Sequence, residues 1–154
     1  MAANYDQPPY VEKRVRFFDG QYLQDQDFVD EQKFHVDRQR RHNRTLHIAG
    51  IADGLRVSKA TDAPARVTVA AGTAVDSDGR QLVLAKDQNV DLPGSQLANK
   101  TVNLYLLYRE QPADLQTQAG SKDHSRWLEQ PEIRAVTKGE APGGNFPPVL
   151  LAEL

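Results

Sequence analysis

The chain of 154 residues contains no cysteine, which excludes disulfides, thiolate catalysis and cysteine-ligated zinc or iron–sulfur sites. No apolar run approaches the ~20 residues of a transmembrane helix, so no membrane insertion is expected. Residues 1–10 lack the basic and apolar regions of a signal peptide. A net charge of −2 supplies no positive field for phosphate, and nucleic-acid binding is therefore not expected either.

Hydrophobic side chains are also scarce. They make up 39% of the chain, against roughly 45–50% in an average globular domain. The length is typical of one domain and suffices for a real core. The composition therefore indicates either a thin core under a large polar surface, or apolar surface that other chains complete.

The order of the residues divides the chain into three predicted segments. Residues 1–23 predict an N-terminal arm with a short strand at 15–18, and residues 24–49 predict a long helix. Residues 50–154 predict a β-domain. Because the sequence ends in a strand-like run without a turn or polar tail, we expect this domain to continue beyond residue 154. The predicted fold class is α+β: one long N-terminal polar helix, then a mainly antiparallel β-sandwich or small β-barrel-like domain.

The helix is predicted because neither glycine nor proline occurs between residues 25 and 47. Asp25 or Asp27 can cap its start, and acids at the start with arginines at the end oppose the helix dipole. Its apolar stripe is poor, so its partner must accept polar groups, from this chain or a neighbouring copy. An interface on this helix would use Phe28, Phe34, His35, Arg38, Arg41, His42 and Leu46.

Strand signals follow at 55–57, 66–70, 73–75, 80–84, 90–92, 101–108, 132–136 and 147–154. The segment 101–108 is the most hydrophobic and is expected at the centre of its sheet. Residues 76–79 predict a hairpin turn. Residues 111–130 are polar and predict a long loop around Trp127, and residues 138–145 predict a glycine-rich turn region.

Catalytic patterns are missing, so no enzyme activity, catalytic residue, metal ligand or cofactor is assigned. His35 and His42 lie seven residues apart, about 10 Å along a helix, and cannot share a metal within one chain. Copies of His42 around a symmetry axis could still meet. Trp127 with Tyr105 and Tyr108 could form a sugar-stacking surface, although anchoring of a core or loop explains these rings as well.

Three segments occur in a distinctive order: FFDGQYL at residues 17–23, RRHNRTLH at 40–47 and GIADGLRV at 50–57. This order resembles the N-terminal module of structural proteins from phage-like contractile tails and extracellular contractile injection systems. The segment AAGTAVDSDGRQLVL at residues 70–84 is similar to the Gly-x-Ala-x-Asp-x-x-Gly-Arg-x-Ile hairpin of tail-fibre and baseplate attachment domains.

The resemblance implies a structural component, most directly the baseplate-attaching part of a tail fibre or a baseplate-associated protein. It implies a homotrimer whose partners are baseplate or tail proteins of the same particle. Such a particle would be assembled in the bacterial cytoplasm and would be a virion or an extracellular tail-like particle. The alternative is a carbohydrate- or receptor-binding β-module with a glycan contact at Trp127. The expected attachment arm contains Pro8, Pro9, Tyr10, Phe17 and Phe18.

Overall fold

The computed structural model describes residues 13–92, 100–118 and 120–154, with one helix and eleven strands among them. The elements are α1 (Asp25–Leu46), β1 (Gly50–Gly54), β2 (Val57–Lys59), β3 (Arg66–Val69), β4 (Gly72–Val75), β5 (Gln81–Leu84), β6 (Gln88–Asp91), β7 (Val102–Leu107), β8 (Glu110–Gln118), β9 (Ser121–Glu129), β10 (Glu132–Thr137) and β11 (Val149–Glu153). With 17% helix and 43% strand, the predicted α+β class is confirmed. In the described part of the chain, no sheet closes into a barrel.

The helix α1 forms where the sequence predicts it. Gln24 is its N-cap residue, and the Gln24 backbone N–H donates to Oδ2 of Asp27 at 2.9 Å. Asp27 therefore stabilises the start from the third helical position, as the glutamate of a capping box does. At the other end His47 leaves the helix in an extended conformation, with its N–H bonded to the Asn43 carbonyl at 3.0 Å.

All strand pairs are antiparallel. Three sheets have three strands each, in the orders β1-β4-β5, β2-β3-β6 and β10-β7-β11, and β8 pairs with β9 alone. The strand β7 lies between its two partners, which confirms the central position predicted from its hydrophobic sequence.

The core belongs to the β-domain. Its buried members are Leu55, Val67, Val69, Ala74, Leu82, Leu84, Leu104, Leu106, Tyr108 and Val149. All of them follow the helix in sequence, so among the described residues α1 adds no side chain to this cluster. The helix is therefore an appended element that the core does not need for its own packing.

Three sequence predictions are wrong. Residues 55–57 do not form one strand, because β1 ends at Gly54, Leu55 has a positive φ of 54°, and β2 begins at Val57. Residues 15–18 form no strand, although the turn at Asp19 and Gly20 is present and Gln21 N–H bonds to the Phe18 carbonyl at 3.2 Å. Phe17 and Phe18 are exposed, and no strand among the described residues pairs with them. Residues 111–130 are not a loop but most of the β8–β9 hairpin, a two-stranded ribbon built from polar residues.

The hairpin pattern noted at residues 70–84 has a packing reason at several positions. Gly72 lets β4 approach the backbone of Asp53 and Leu55 so closely that a Cβ atom would collide with both. Ala74 and Leu82 lie fully buried in the core. The small and aliphatic positions of the pattern therefore fix how β1, β4 and β5 pack.

Candidate assembly surface

The helix contacts the β-domain through one narrow face. Of its 22 residues, all of them described, only Asn43 is buried. The Asn43 Nδ2 donates to the backbone carbonyl of Gly79 at 3.0 Å. Val36 and Arg40 lie on the same face, two turns and one turn before Asn43 respectively. They border the contact with Arg80, Gln81, Tyr108 and Glu129.

The turn that receives the helix is rigid because it bonds to itself. Asp76 Oδ1 accepts the backbone N–H groups of Asp78 at 2.9 Å and Arg80 at 2.8 Å. The Arg80 Nη1 lies 3.1 Å from Asp76 Oδ2 and 2.8 Å from Asp78 Oδ2. The side chains of Asp76 and Arg80 are both buried, so each charge of this pair is satisfied by hydrogen bonds inside the turn.

Gly79 is the point of closest approach between turn and helix. Its φ is +83°, and a Cβ atom there would collide with the backbone carbonyl of Arg40. A glycine is needed both for the backbone conformation and for the space. The Gly-Arg pair of the hairpin pattern thus serves the junction with α1.

Two aromatic rings lie close to the arginine guanidinium groups at this junction. The Arg80 guanidinium carbon lies 4.4 Å from the ring centre of Phe146 and 5.7 Å from that of Tyr108. From the helix side, the Arg40 guanidinium carbon lies 5.9 Å from the same Tyr108 ring. Two arginines, one from the turn and one from the helix, therefore share one aromatic platform at cation–π distance.

The Tyr108 hydroxyl ties the platform to the base of the hairpin. It donates to Glu110 Oε2 at 2.8 Å and lies 3.1 Å from Glu129 Oε1, two glutamates that face each other across β8 and β9. Burial raises the pKa of Tyr108 well above its ordinary value, and the bond to Glu110 and the charge of Glu129 add to the rise. The hydroxyl therefore stays protonated as a donor to these carboxylates.

The β8–β9 ribbon projects from the domain. None of its side chains that the structure describes is buried, and its only strand pairing is internal. Leu115, Trp127 and Leu128 are exposed on it. A two-stranded ribbon is marginally stable by itself and carries unpaired edges, so its length is typical of an element that meets another molecule.

A cleft of about 400 Å³ lies between the ribbon and the helix. Its lining residues are Glu31, Gln32, His35, Val36, Arg40, Glu110, Trp127 and Glu129. His35 Nε2 and Glu31 Oε1 are 3.0 Å apart in this cleft. The structure thus brings together His35 and Trp127, which the sequence assigned to an interface and to a glycan contact respectively.

The opposite face of the helix points away from the β-domain. Phe34, Arg38, Arg41, His42 and Leu46 line an open groove of about 420 Å³ together with Asp37 and Thr45. At 100° per residue, Phe34, Arg38 and Arg41 lie on the far side of the helix axis from Asn43, and His42 and Leu46 lie on its flank. Five of the seven helix residues proposed for an interface therefore share one surface, here called the outer helix face.

Exposed apolar side chains are frequent in the segment before the helix, at its two ends and just after it. Eight of the fourteen exposed large hydrophobic residues are Phe17, Phe18, Tyr22, Leu23, Phe28, Leu46, Ile48 and Ile51. Phe28, the sixth interface candidate, is 54% exposed and Leu46 is 69% exposed. Of the predicted arm residues, Phe17 and Phe18 are exposed, whereas Pro8, Pro9 and Tyr10 lie outside the described residues.

Some site types are not found in the part of the chain that the structure describes. Within residues 13–92, 100–118 and 120–154, no cluster of three or more histidine, aspartate or glutamate side chains is arranged to hold a metal ion. Among the same residues, no helix combines the length and apolar character needed to cross a membrane.

No protein-family model and no curated protein matches the chain. Its fold is similar to a chain in a cryo-electron microscopy structure of the TssK–TssF–TssG baseplate subcomplex of the type VI secretion system, with a TM-score of 0.57 and 11% identity. The match covers 92% of this chain and 56% of that one. A second similar structure is the baseplate complex from the type VI secretion system, with a TM-score of 0.50, 11% identity, and coverage of 90% and 52%.

The chain therefore spans about half the length of the solved chains that it matches. At 11% identity the likeness shows the fold. That fold occurs in baseplate complexes of a contractile injection system, the class of particle that the resemblance of residues 17–57 and 70–84 implies.

Several residues that build this surface were not singled out from the sequence. Asn43 stands among arginines near the helix end, and its bond to Gly79 spans 36 residues. Glu110 and Glu129 flank a segment that predicted a loop, and Tyr108, which the sequence offered only for sugar stacking or anchoring, binds both of them. The signal available in the sequence was Gly120, a glycine between two polar stretches of equal length. In the structure Gly120 has the positive φ of a tight hairpin turn.

Proposed function

We propose that the chain is a structural subunit of the baseplate region of a phage-like contractile tail or contractile injection system. One observation carries the proposal: a 22-residue helix buries a single side chain against its own β-domain, and five of its seven interface candidates line one groove on its outer face. The fold shared with chains of type VI secretion baseplate complexes supports the same particle class.

Each segment has a part in this proposal. Residues 1–23 form an attachment arm that lies along another baseplate protein, with Phe17 and Phe18 as apolar anchors. Residues 24–49 form the oligomerisation helix, and residues 50–154 form the β-domain that positions it. The expected assembly is a homotrimer in which three outer helix faces meet around an axis, with its buried polar positions fixing the register.

The finer proposal is that the chain is the baseplate-attaching part of a tail fibre or a baseplate-associated protein. It would be assembled in the bacterial cytoplasm and would remain in the finished particle. Its role is to transmit load without chemistry, and affinity for partners comes from area and from avidity across copies. Neither enzymatic activity nor a cofactor is part of this proposal.

The direct test is the location of the chain in intact particles. Antibodies against the β-domain are applied to tail-like particles purified from cells that encode this protein, and gold labels are located by electron microscopy. Label at one end of the tail supports the proposal. Particles that contain all other tail proteins but lack this chain by mass spectrometry would contradict it.

A second candidate function rests on Trp127. This side chain is 44% exposed in the cleft between ribbon and helix, beside Glu110 and Glu129, which is a suitable arrangement for stacking a sugar and accepting its hydroxyl groups. Glycan-array binding that disappears in Trp127→Ala, but persists in Leu128→Ala on the same strand, would support a carbohydrate-binding module.

A further inference from the structure

Two histidines meet at the C-terminal end of α1. The Nε2 atoms of His42 and His47 are 3.3 Å apart, and the ring centres are 5.2 Å apart with an interplanar angle of 56°. Both side chains are exposed. Two imidazole nitrogens are thus held at one point of the surface that an ion in solution can reach.

This distance between the two Nε2 atoms matches the distance between two nitrogens that bind the same metal ion. Two nitrogens that each lie 2.0–2.1 Å from a tetrahedral zinc ion are about 3.3–3.4 Å apart. A turn of each ring by about 35° is enough to direct both lone pairs from each other to a shared ion. Without an ion, the two Nε2 atoms can share one hydrogen bond, so the geometry is maintained in the empty state.

The backbone explains why the pair forms and why helical spacing does not reveal it. Five residues apart on a continuous helix, two side chains would point about 140° apart. His47 instead leaves the helix with φ −122° and ψ 157°, which returns its ring towards His42. The His47 N–H bonds to the carbonyl of Asn43, and the Asn43 side chain donates to the carbonyl of Gly79. These hydrogen bonds hold the end of the helix, and with it the two histidines, in place.

We propose that His42 and His47 form a binding site for zinc or a similar divalent ion such as cobalt or nickel, for which imidazole is a suitable ligand. Two coordination positions remain open, and water or a side chain from a neighbouring molecule completes them. His42 also lines the outer helix face, so a bound ion lies at the edge of the proposed assembly surface. The site itself is a property of the single chain and does not rest on the proposed function.

Zinc binding is tested on the full chain prepared without a histidine tag. Isothermal titration with zinc chloride at neutral pH is expected to show one ion per chain with a dissociation constant of about 100 μM or tighter. His42→Gln and His47→Gln should each weaken binding at least ~10-fold, because one imidazole remains. The matched control is His124→Gln, an exposed histidine on β9, which should bind zinc like the unaltered chain.

Nuclear magnetic resonance of the histidine rings gives a readout that needs no variant. On addition of zinc, the Nε2 signals of His42 and His47 should shift together, while those of His124 stay in place. The proposal is overturned if the dissociation constant is weaker than about 100 μM, if His42→Gln binds zinc undiminished, or if the shifts fall on His35 or His124 in place of this pair.

Discussion

At the scale of single residues, the junction between helix and β-domain depends on contacts that leave no room for an added atom or a lost hydrogen bond. Gly79 places its backbone against the helix, Asn43 bonds to it, and the Asp76–Arg80 pair holds the turn from within. These residues are buried or sterically confined. Substitutions here should therefore lower the free energy of unfolding more than substitutions at similar backbone positions elsewhere.

Gly79→Ala tests this constraint against a matched control. Gly139 also has a positive φ, +94°, but a Cβ atom there would meet nothing within 4 Å. Gly139→Ala should therefore lose only the conformational cost of roughly 1–2 kcal/mol in unfolding free energy. Gly79→Ala should lose a further ~1–3 kcal/mol, because the Cβ atom also displaces the helix backbone. Urea unfolding measures both losses, and equal losses would show that the helix does not press on this turn.

Tyr108 predicts a specific dependence of stability on pH. Because its pKa is raised in the folded protein, the stability that it contributes is complete below the unfolded-state value of about 10 and falls as pH rises above it. Relative to Tyr108→Phe, the unaltered chain should lose up to ~1.4 kcal/mol of unfolding free energy per pH unit above pH 10. Denaturant unfolding at several alkaline pH values measures the difference.

The control for this experiment is Tyr22→Phe, since the Tyr22 side chain is 84% exposed. This variant should keep the alkaline loss of stability seen in the unaltered chain. A Tyr108→Phe curve that runs parallel to that of the unaltered chain above pH 10 would contradict the placement of the buried hydroxyl between Glu110 and Glu129.

At the scale of elements, the molecule has a core-forming part and two parts that project from it. The three-stranded sheets share one hydrophobic cluster. The helix α1 has a single buried residue, Asn43, which lies outside this cluster, and the β8–β9 ribbon has none that the structure describes. Elements that bury so little against their own domain retain their surface for contacts elsewhere.

Shortening the ribbon tests whether it is peripheral. Replacement of residues 111–128 by a two-residue turn keeps Glu110 and Glu129, and with them the bonds to Tyr108. We expect the unfolding free energy of the remaining domain to change by less than ~1 kcal/mol, because no core side chain is removed. Thermal unfolding followed by circular dichroism checks this, and loss of cooperative unfolding would show that the ribbon is part of the folding unit.

The sequence predicts those elements whose pattern is visible within the element itself. The helix is visible locally, in the absence of glycine and proline and in the charges at its ends, and β7 is visible in its hydrophobic run. The β8–β9 ribbon was missed because it is polar on both faces and so lacks the alternation that marks a half-buried strand. Residues 15–18 are rich in strand-forming side chains but have no partner strand among the described residues.

The candidate surface was predictable only in part, for a related reason. Helical spacing places Phe34, Arg38 and Arg41 beside the stripe that contains His42 and Leu46, and all five line one groove. It does not show that the opposite face docks through Asn43, because that contact depends on a turn 36 residues away. His35, which the sequence assigns to the same interface, is exposed and lines the cleft with Trp127.

At the scale of the whole molecule, we propose that part of the surface of the chain is covered by other copies or by partner proteins. The low hydrophobic content and the exposed apolar side chains between Phe17 and Ile51 support this proposal. Copies or partners that bury these side chains would be presented with them by a β-domain that has its own core.

The most direct test of this claim is sedimentation equilibrium of the full chain and of the double variant Phe28→Ser with Leu46→Ser. The unaltered chain is expected to form trimers, and the double variant to weaken association at least ~10-fold. Val83→Ser should sediment like the unaltered chain, because Val83 is equally exposed, at 52%, but lies in the β-domain. A folded chain that remains monomeric up to about 1 mM would contradict the account.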